Sequence, residues 1–332
     1  MIKKISFIAV LPLFLLSSYA FAQPSKANLF SIKQNGSCGY INKSGKVVIP
    51  PQFNTCWNFS EGFAGVIVHD KLGFIDETGN FFAQPQFNYD LVWFSEGFAT
   101  IRFGKQIGFV DSKGQINILP EVTSLYDFSE GLASFEKGGL RGYVDRNMRI
   151  VIEPQFKYAS SFNDGLAGVT DQNNNDYYID KTGQKALDID GSAFSEGLAF
   201  FEVKSRYVGS KYGFINTKGD IVIKAQFSHA DFFYEGLCAV QDFDNDKWGF
   251  IDKTGKYIIK PQFDDAERFS EGLAQVSINE KWGYINKKGR LVIPAEFDAI
   301  GDFENGIAPV KIDDDWNYYI DKKGKFIWTP TN

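Results

Sequence analysis

Leu273-Ala274-Gln275-Val276-Ser277-Ile278-Asn279-Glu280-Lys281-Trp282-Gly283-Tyr284-Ile285-Asn286-Lys287-Lys288-Gly289-Arg290-Leu291-Val292-Ile293-Pro294 is the stretch from which the rest of the chain reads. Residues 273–278 alternate as a half-buried strand does, Asn279, Glu280 and Lys281 turn the chain, and Trp282 to Asn286 form a second strand. Lys287-Lys288-Gly289-Arg290 then turns it into a third strand at Leu291. A glycine near the end of so short a loop accepts a positive φ without steric cost, which suits a hairpin. The stretch is an antiparallel meander of three strands.

The motif at its centre, Gly283-Tyr284-Ile285-Asn286, returns at Gly39, Gly73, Gly108, Gly142, Gly213 and Gly249. Two more copies begin with tyrosine, at Tyr177 and Tyr318. Successive copies are 34, 35, 34, 35, 36, 36, 34 and 35 residues apart, a period that marks a repeat architecture. A longer connection joins each copy to the next. It carries paired aromatic anchors, such as Phe263 with Phe269, and ends in Ser-Glu-Gly at Ser60, Ser95, Ser129, Ser195 and Ser270. Pro51, Pro85, Pro154 and Pro261 are expected to end the preceding strand by removing a ladder donor. The glycine column, and an alanine column that includes Ala64, Ala99 and Ala274, are expected to admit a neighbouring sheet closely.

The fold expected is therefore all-β, a tandem repeat of about nine three-stranded antiparallel units. An open array would leave two strand edges free to pair with other chains, a hazard that closure abolishes. A propeller-like ring is favoured on that ground, with an open twisted stack as the alternative.

Lys3 and Lys4, the apolar run Ile5 to Leu16 and the small-residue site Ala20-Phe21-Ala22 have the order of a secretory signal peptide. Residues 1–22 are read as that peptide and 23–332 as a single repeat domain, periplasmic or secreted. No later apolar run approaches the roughly 20 residues of a membrane helix. Without the leader, 33 basic residues stand against 41 acidic ones, a balance that disfavours nucleic acid as a partner.

Cys38 and Cys56 lie in one repeat of a protein read as exported, where disulfides form. Cys38 stands at the position of Trp248 and Trp282, and Cys56 at that of Ala266, so a bridge would replace a large-to-small contact. Cys238 falls in the alanine column and reads as a small buried residue.

Lys247-Trp248-Gly249-Phe250-Ile251-Asp252-Lys253-Thr254-Gly255-Lys256, with Pro261-Gln262-Phe263 and Phe269-Ser270-Glu271-Gly272-Leu273-Ala274 after it, resembles the bacterial WG-repeat family. Lys281-Trp282-Gly283-Tyr284-Ile285-Asn286 is a second close match. The resemblance covers essentially the whole chain after residue 22, and it implies a β-rich repeat protein, often exported, with no general enzymatic activity or common ligand. Only two of nine copies keep the tryptophan; Cys38, Leu72, Ile107, Arg141, Asp176, Tyr212 and Asn317 replace it, which marks a packing position.

Catalytic residues are scarce. His69 and His229 are the only histidines and lie in unrelated registers. The carboxylates of the Ser-Glu-Gly column, and those that follow each motif, recur too regularly for one acid–base pair and sit where they can satisfy backbone donors. The copies differ at the first hairpin turn, where acidic loops carry Asp242, Asp244 and Asp246, and Asp313, Asp314 and Asp315. These six are the candidate binding residues. Lys71, Lys105 and Lys137 occupy early copies of the same turn, so one rim reads as acidic late and basic early. Lys247 at the glycine position of the first loop argues against an EF-hand, and no metal or other cofactor is expected. Trp57, Trp93, Trp316 and Trp328 lie outside the repeated position and could stack on a sugar ring. The reading is of a non-enzymatic exported scaffold that binds a protein of the bacterial cell envelope. Its alternative is a carbohydrate-binding or carbohydrate-active envelope protein.

Overall fold

The computed structural model describes residues 29–88, 93–204 and 209–330; the proposed leader, 1–22, lies outside the described residues. These residues fold as nine antiparallel sheets, each contiguous in sequence with its strands side by side in chain order. Numbered along the chain, the blades span residues 29–53, 55–87, 98–119, 124–156, 158–187, 198–227, 229–263, 265–297 and 299–328. Blade 8 shows the plan: Asp265–Ser270, Leu273–Ile278, Lys281–Asn286 and Leu291–Phe297 pair in that order. The expected three strands are present in every blade, and six blades gain a fourth from the connection. A bulge frees Glu267 and Arg268, after which Phe269 and Ser270 return to register opposite Ala274 and Leu273.

The sheets close into a nine-bladed propeller. Wherever the second position of the motif is tyrosine, its hydroxyl donates to a backbone carbonyl of the next blade: Tyr40 to Trp57, Tyr143 to Ser160, Tyr178 to Ser192, and Tyr284 to Gly301. In blade 9 the same hydroxyl, on Tyr319, donates to Ser31 of blade 1 at 2.7 Å. Asn317 adds a reciprocal pair of bonds to the Lys33 backbone, and Phe30 and Ile32 pack with Ile307 and Tyr319. Blade 1 thus docks on blade 9 as every blade docks on the one before it. Among the described residues no sheet contains strands from both sides of that seam, where packing and side-chain bonds make the contact.

Each motif glycine is required by its own blade, which corrects the expectation that it admits a neighbouring sheet. The outermost strand of blade 8 pairs Phe297 with Trp282 and Ile293 with Tyr284, so a two-residue bulge folds over Gly283. A Cβ on Gly283 would lie 2.6 Å from the Ile293 carbonyl oxygen and 2.7 Å from the Ala295 nitrogen. Gly249 is confined in the same way by Ile259 and Pro261. Blades 5 and 9 tolerate Tyr177 and Tyr318 because their outermost strands, Lys185–Leu187 and Phe326–Trp328, stop short of that fold-over. The prolines are corrected likewise: Pro51 and Pro261 lie within outermost strands Val47–Phe53 and Tyr257–Phe263, at the bulge, where an edge strand can lack a donor. The neighbouring blade meets a different glycine, that of the second turn. Gly255 and Gly289, at φ 85° and 73°, rest on Ile223 and Ile259 of the preceding blade. Met148 fills this turn position in blade 4 at φ 61°.

Candidate functional site: the channel and its rims

The innermost strands and their Ser-Glu-Gly turns surround a central cavity of ≈ 590 Å³. In each two-residue turn the first residue, acidic except for Asn305 of blade 9, and the glycine adopt the left-handed conformation, as at Glu271 (φ 51°) and Gly272 (φ 84°), giving the mirror-image turn that suits a hairpin. Oriented this way, the carboxylate reaches the next blade and accepts its turn glycine N–H: Glu96 from Gly131, Glu130 from Gly165, Glu235 from Gly272, and Glu271 from Gly306. The turn serine donates across the same junction, Ser129 to the Phe162 carbonyl at 2.6 Å and Ser270 to that of Phe303 at 2.8 Å. Cations then cap the carboxylates from the following blade, as Arg146 does on Glu96 and Lys181 on Glu130. The result is a belt of inter-blade clasps around one mouth of the channel. The carboxylates after each motif are also committed locally. Asp252 accepts from the Thr254 hydroxyl and from the backbone of Thr254 and Lys256, contacts that hold it below the usual carboxylate range.

The channel wall is not uniform. Blades 5 and 6 carry Ser160, Ser161, Ser192 and Ala193 just ahead of the second aromatic anchor, whereas the equivalent stretch of blades 7, 8 and 9 brings Asp231, Glu267, Arg268 and Asp302, of which Arg268 and Asp302 line the cavity. Arg268 donates through Nε to Asp302 at 2.9 Å, pairs with it again through a terminal nitrogen at 2.7 Å, and bonds the Tyr234 hydroxyl at 3.1 Å. Its guanidinium also lies 4.7 Å from the Tyr234 ring centre, and Gln275 donates to the other Asp302 oxygen at 2.8 Å. Glu267 is exposed to solvent yet crowded by neighbouring acidic groups. Loss of surrounding solvent, with Asp231, Asp265 and Asp302 adding repulsion, pushes its carboxyl up to about 7. Burial raises Asp231 and Glu304 as well. One arginine therefore organises an acidic wall. Across the channel, on blade 4, burial pushes Asp127 up to about 6.

The sequence pattern of the WG containing repeat matches seven times, over residues 39–71, 73–105, 107–140, 142–175, 212–247, 248–282 and 282–316. The chain belongs to the WG containing repeat family. The stretch that opens with Tyr177 and the end of the chain after Asp315 and Trp316 fall outside the matches, and these hold the two copies whose outermost strands are short. No curated protein matches the chain. Among solved structures, a crystal structure of the eukaryotic initiation factor is similar at TM-score 0.56 and 14% identity, covering 82% of this chain and 86% of that one. At that identity the likeness carries the fold alone. Kluyveromyces lactis Hsv2p (TM-score 0.40, 11% identity, 68% of this chain and 89% of that one) and virginiamycin B lyase from Staphylococcus aureus (0.31, 13%, 70% and 92%) are more distant.

In this WG-repeat protein the six candidate aspartates lie on two loops of one rim, opposite the belt. Asp244 and Asp246 are exposed, while Asp242 accepts the Asp244 N–H at 3.1 Å and the Tyr257 hydroxyl at 3.3 Å. Asp313 and Asp314 turn the chain at positive φ, Asp314 pairs with Lys311 at 2.7 Å, and Asp315 caps the Asn317 N–H at 2.9 Å. Blade 8 separates the two loops and contributes Glu280 to the same rim. Lys247 and Lys281 there are held by Asp264 and Asp298. On the early rim Lys71 bonds Asn88, and Lys137 pairs with Glu121. Among the described residues no group of three or more His, Cys, Asp or Glu is placed to hold a metal ion.

Cys38 and Cys56 are joined as a disulfide with Cα atoms 6.0 Å apart, linking blade 1 to blade 2. Trp248 and Trp282, at the equivalent position, each pack on the core shared with the next blade, so the family's tryptophan is an inter-blade packing residue. Cys238 is buried and donates to the Asp231 carbonyl, and burial drives its thiol well above the ordinary range. His69 and His229 stand on blades 2 and 7. Trp57 and Trp328 pack on cores, and Trp316 is 47% exposed beside Asp315. The wall of blades 7–9 was the group that sequence reasoning passed over. Its signal was a column just before the second aromatic anchor in which charge replaces serine and alanine.

Proposed function

We propose that this protein is a non-enzymatic exported scaffold that binds another protein of the bacterial cell envelope through the sector formed by blades 7–9. The observation that carries the reading is the continuity of unrepeated acidic groups across that sector. Asp244, Asp246 and Glu280 stand on the loop rim, Asp265 and Glu267 lie on the innermost strand of blade 8, and Asp302 and Glu304 line the cavity. A surface with an excess of acidic groups from rim to cavity favours a partner of opposite sign and speeds its capture. The recurring carboxylates support the non-enzymatic reading, because each is engaged in holding a turn or a blade junction.

The test is cross-linked capture from a native envelope extract by tagged protein residues 23–332, read by mass spectrometry. A variant carrying Asp242→Asn, Asp244→Asn and Asp246→Asn serves as the control. Enrichment of one protein with the native chain and its loss with the variant is the expected result. Equal capture by both removes the acidic rim from the account, and retention of glycan alone moves the reading to sugar recognition. The variant should unfold within about 0.5 kcal/mol of the native chain, since it alters exposed loops.

A further inference from the structure

The belt contains its own template for a binding site. At four junctions a lysine from the following blade grips one residue twice, through the carboxylate and through that residue's own carbonyl. Lys181 Nζ lies 3.1 Å from the Glu130 carboxylate and 3.0 Å from the Glu130 carbonyl oxygen. The pairs are 3.1 and 2.8 Å for Lys253 on Glu196, 3.1 and 2.8 Å for Lys287 on Glu235, and 3.0 and 2.9 Å for Lys322 on Glu271. The left-handed turn makes this possible, because it sets carbonyl and carboxylate to converge on one ammonium.

Two other turns share the left-handed conformation and the bond to a glycine N–H, with Glu61 also accepting the Glu96 N–H at 2.9 Å through its other oxygen. Glu61 and Asp164 adopt φ of 54° and 51°, inside the 51–53° to 54° range of the lysine-capped turns and Glu96. Each accepts the turn glycine N–H of the next blade, Gly97 and Gly197, at 2.7 Å. The lysine position of that next blade, however, is Ser112 for Glu61 and Thr217 for Asp164, side chains too short to reach. Among the described residues neither carboxylate has a cationic partner. Both line the channel cavity and both are exposed.

We infer that the turns at Glu61 and Asp164 are ammonium-binding sites that take the lysine side chain of a bound protein. The carboxylate supplies the charge and the carbonyl a second acceptor, so a primary ammonium with several N–H donors fits, as it does at the four internal copies. These sites lie outside the acidic sector of blades 7–9, and the inference stands independently of it.

Amide NMR of residues 23–332 at low ionic strength tests this directly. The probes are Nα-acetyl-lysine methylamide, tetramethylammonium and glucosamine. The lysine derivative should shift the Gly97 and Gly197 amides saturably while Gly165 and Gly236, whose carboxylates already hold lysines, stay in place. Tetramethylammonium, which carries the charge without a donor, should bind at least tenfold more weakly, and the double variant Ser112→Lys with Thr217→Lys should lose the shifts. Should that variant fail to fold, Glu61→Gln must abolish the Gly97 response alone. Uniform shifts at all four amides, equal binding of tetramethylammonium, or no shift would overturn the inference. Tighter binding of glucosamine than of the lysine derivative would overturn the assignment to a protein side chain.

Discussion

The belt turns and the channel wall of blades 7–9 lie within a few residues of each other, yet they use charge in opposite ways. In the belt, Glu130 meets Lys181, the Gly165 N–H and open solvent, and the same contacts recur at Glu196, Glu235 and Glu271. In the wall, Arg268 faces Asp302 while Asp231, Glu267 and Glu304 crowd around it, and among the described residues no other blade shows the arrangement. Repetition spreads a modest interaction around the ring and builds the fold. Concentration produces a local excess of one charge that the fold does not need, and such an excess is useful for contacting something else.

The comparison breaks most sharply at a repeated residue. Gly249→Ala should cost more than about 4 kcal/mol, because backbone on both sides of the new Cβ would have to move. Denaturant unfolding measures it; a loss below about 1 kcal/mol would show that the outermost bulge adjusts freely. Next in size is the link that only blades 1 and 2 possess. Replacing Cys38 and Cys56 with alanine should cost about 3 kcal/mol, given their sequence separation of 18, in the same assay under oxidising conditions. The loss should fall first on the seam, since blade 1 is otherwise held to blade 9 by Tyr319, Asn317 and apolar packing. Hydrogen exchange that opens blade 1 no earlier than blade 5 would count against that seam.

A single clasp ranks lower. Glu130→Ala and Glu271→Ala should each cost about 1 kcal/mol, for an exposed ion pair and one bond to a glycine amide. Because blades 4 and 8 share no contact through these residues, the double variant should lose the sum. Loss well beyond the sum would mean the belt acts as one cooperative unit, and the contrast with the wall would have to be redrawn.

These contrasts also explain what could be read from the chain. The strand periodicity and turn glycines were legible because each is local: Gly255 must sit at positive φ whatever its neighbours do. The choice between ring and stack was not, since it rests on Tyr319 meeting Ser31, 288 residues away, with no local mark distinguishing Tyr319 from Tyr284. The role of Gly283 was misassigned because the bulge that confines it arises from pairing register, not composition. Acidic loops announced themselves as runs of aspartate, whereas Arg268 and Asp302 stand 34 residues apart and become neighbours only when blades 8 and 9 are set side by side.

The smallest expected effect reports on the wall alone. Glu267 in the folded chain is pushed up to about 7, from an ordinary value of 4.5, by lost hydration and by Asp231, Asp265 and Asp302, with Arg268 opposing. Between those two values the native state holds more protons than the unfolded chain, so stability falls as pH rises through the window and levels off outside it. The melting temperature of the native protein should therefore decline between pH 5 and pH 7.5 by an amount that Glu267→Gln reduces. Because Glu267 is exposed to solvent, the difference should be a small one. Asp127 on blade 4, pushed up to about 6 by burial, and Asp231 and Glu304, raised as well, contribute declines of the same sign, so part of the slope should remain in Glu267→Gln. Glu130→Gln, made in the belt, should leave the upper part of the slope unchanged. Equal flattening by both variants would mean the excess charge is shared around the channel, and the wall of blades 7–9 would lose its claim to be a separate feature.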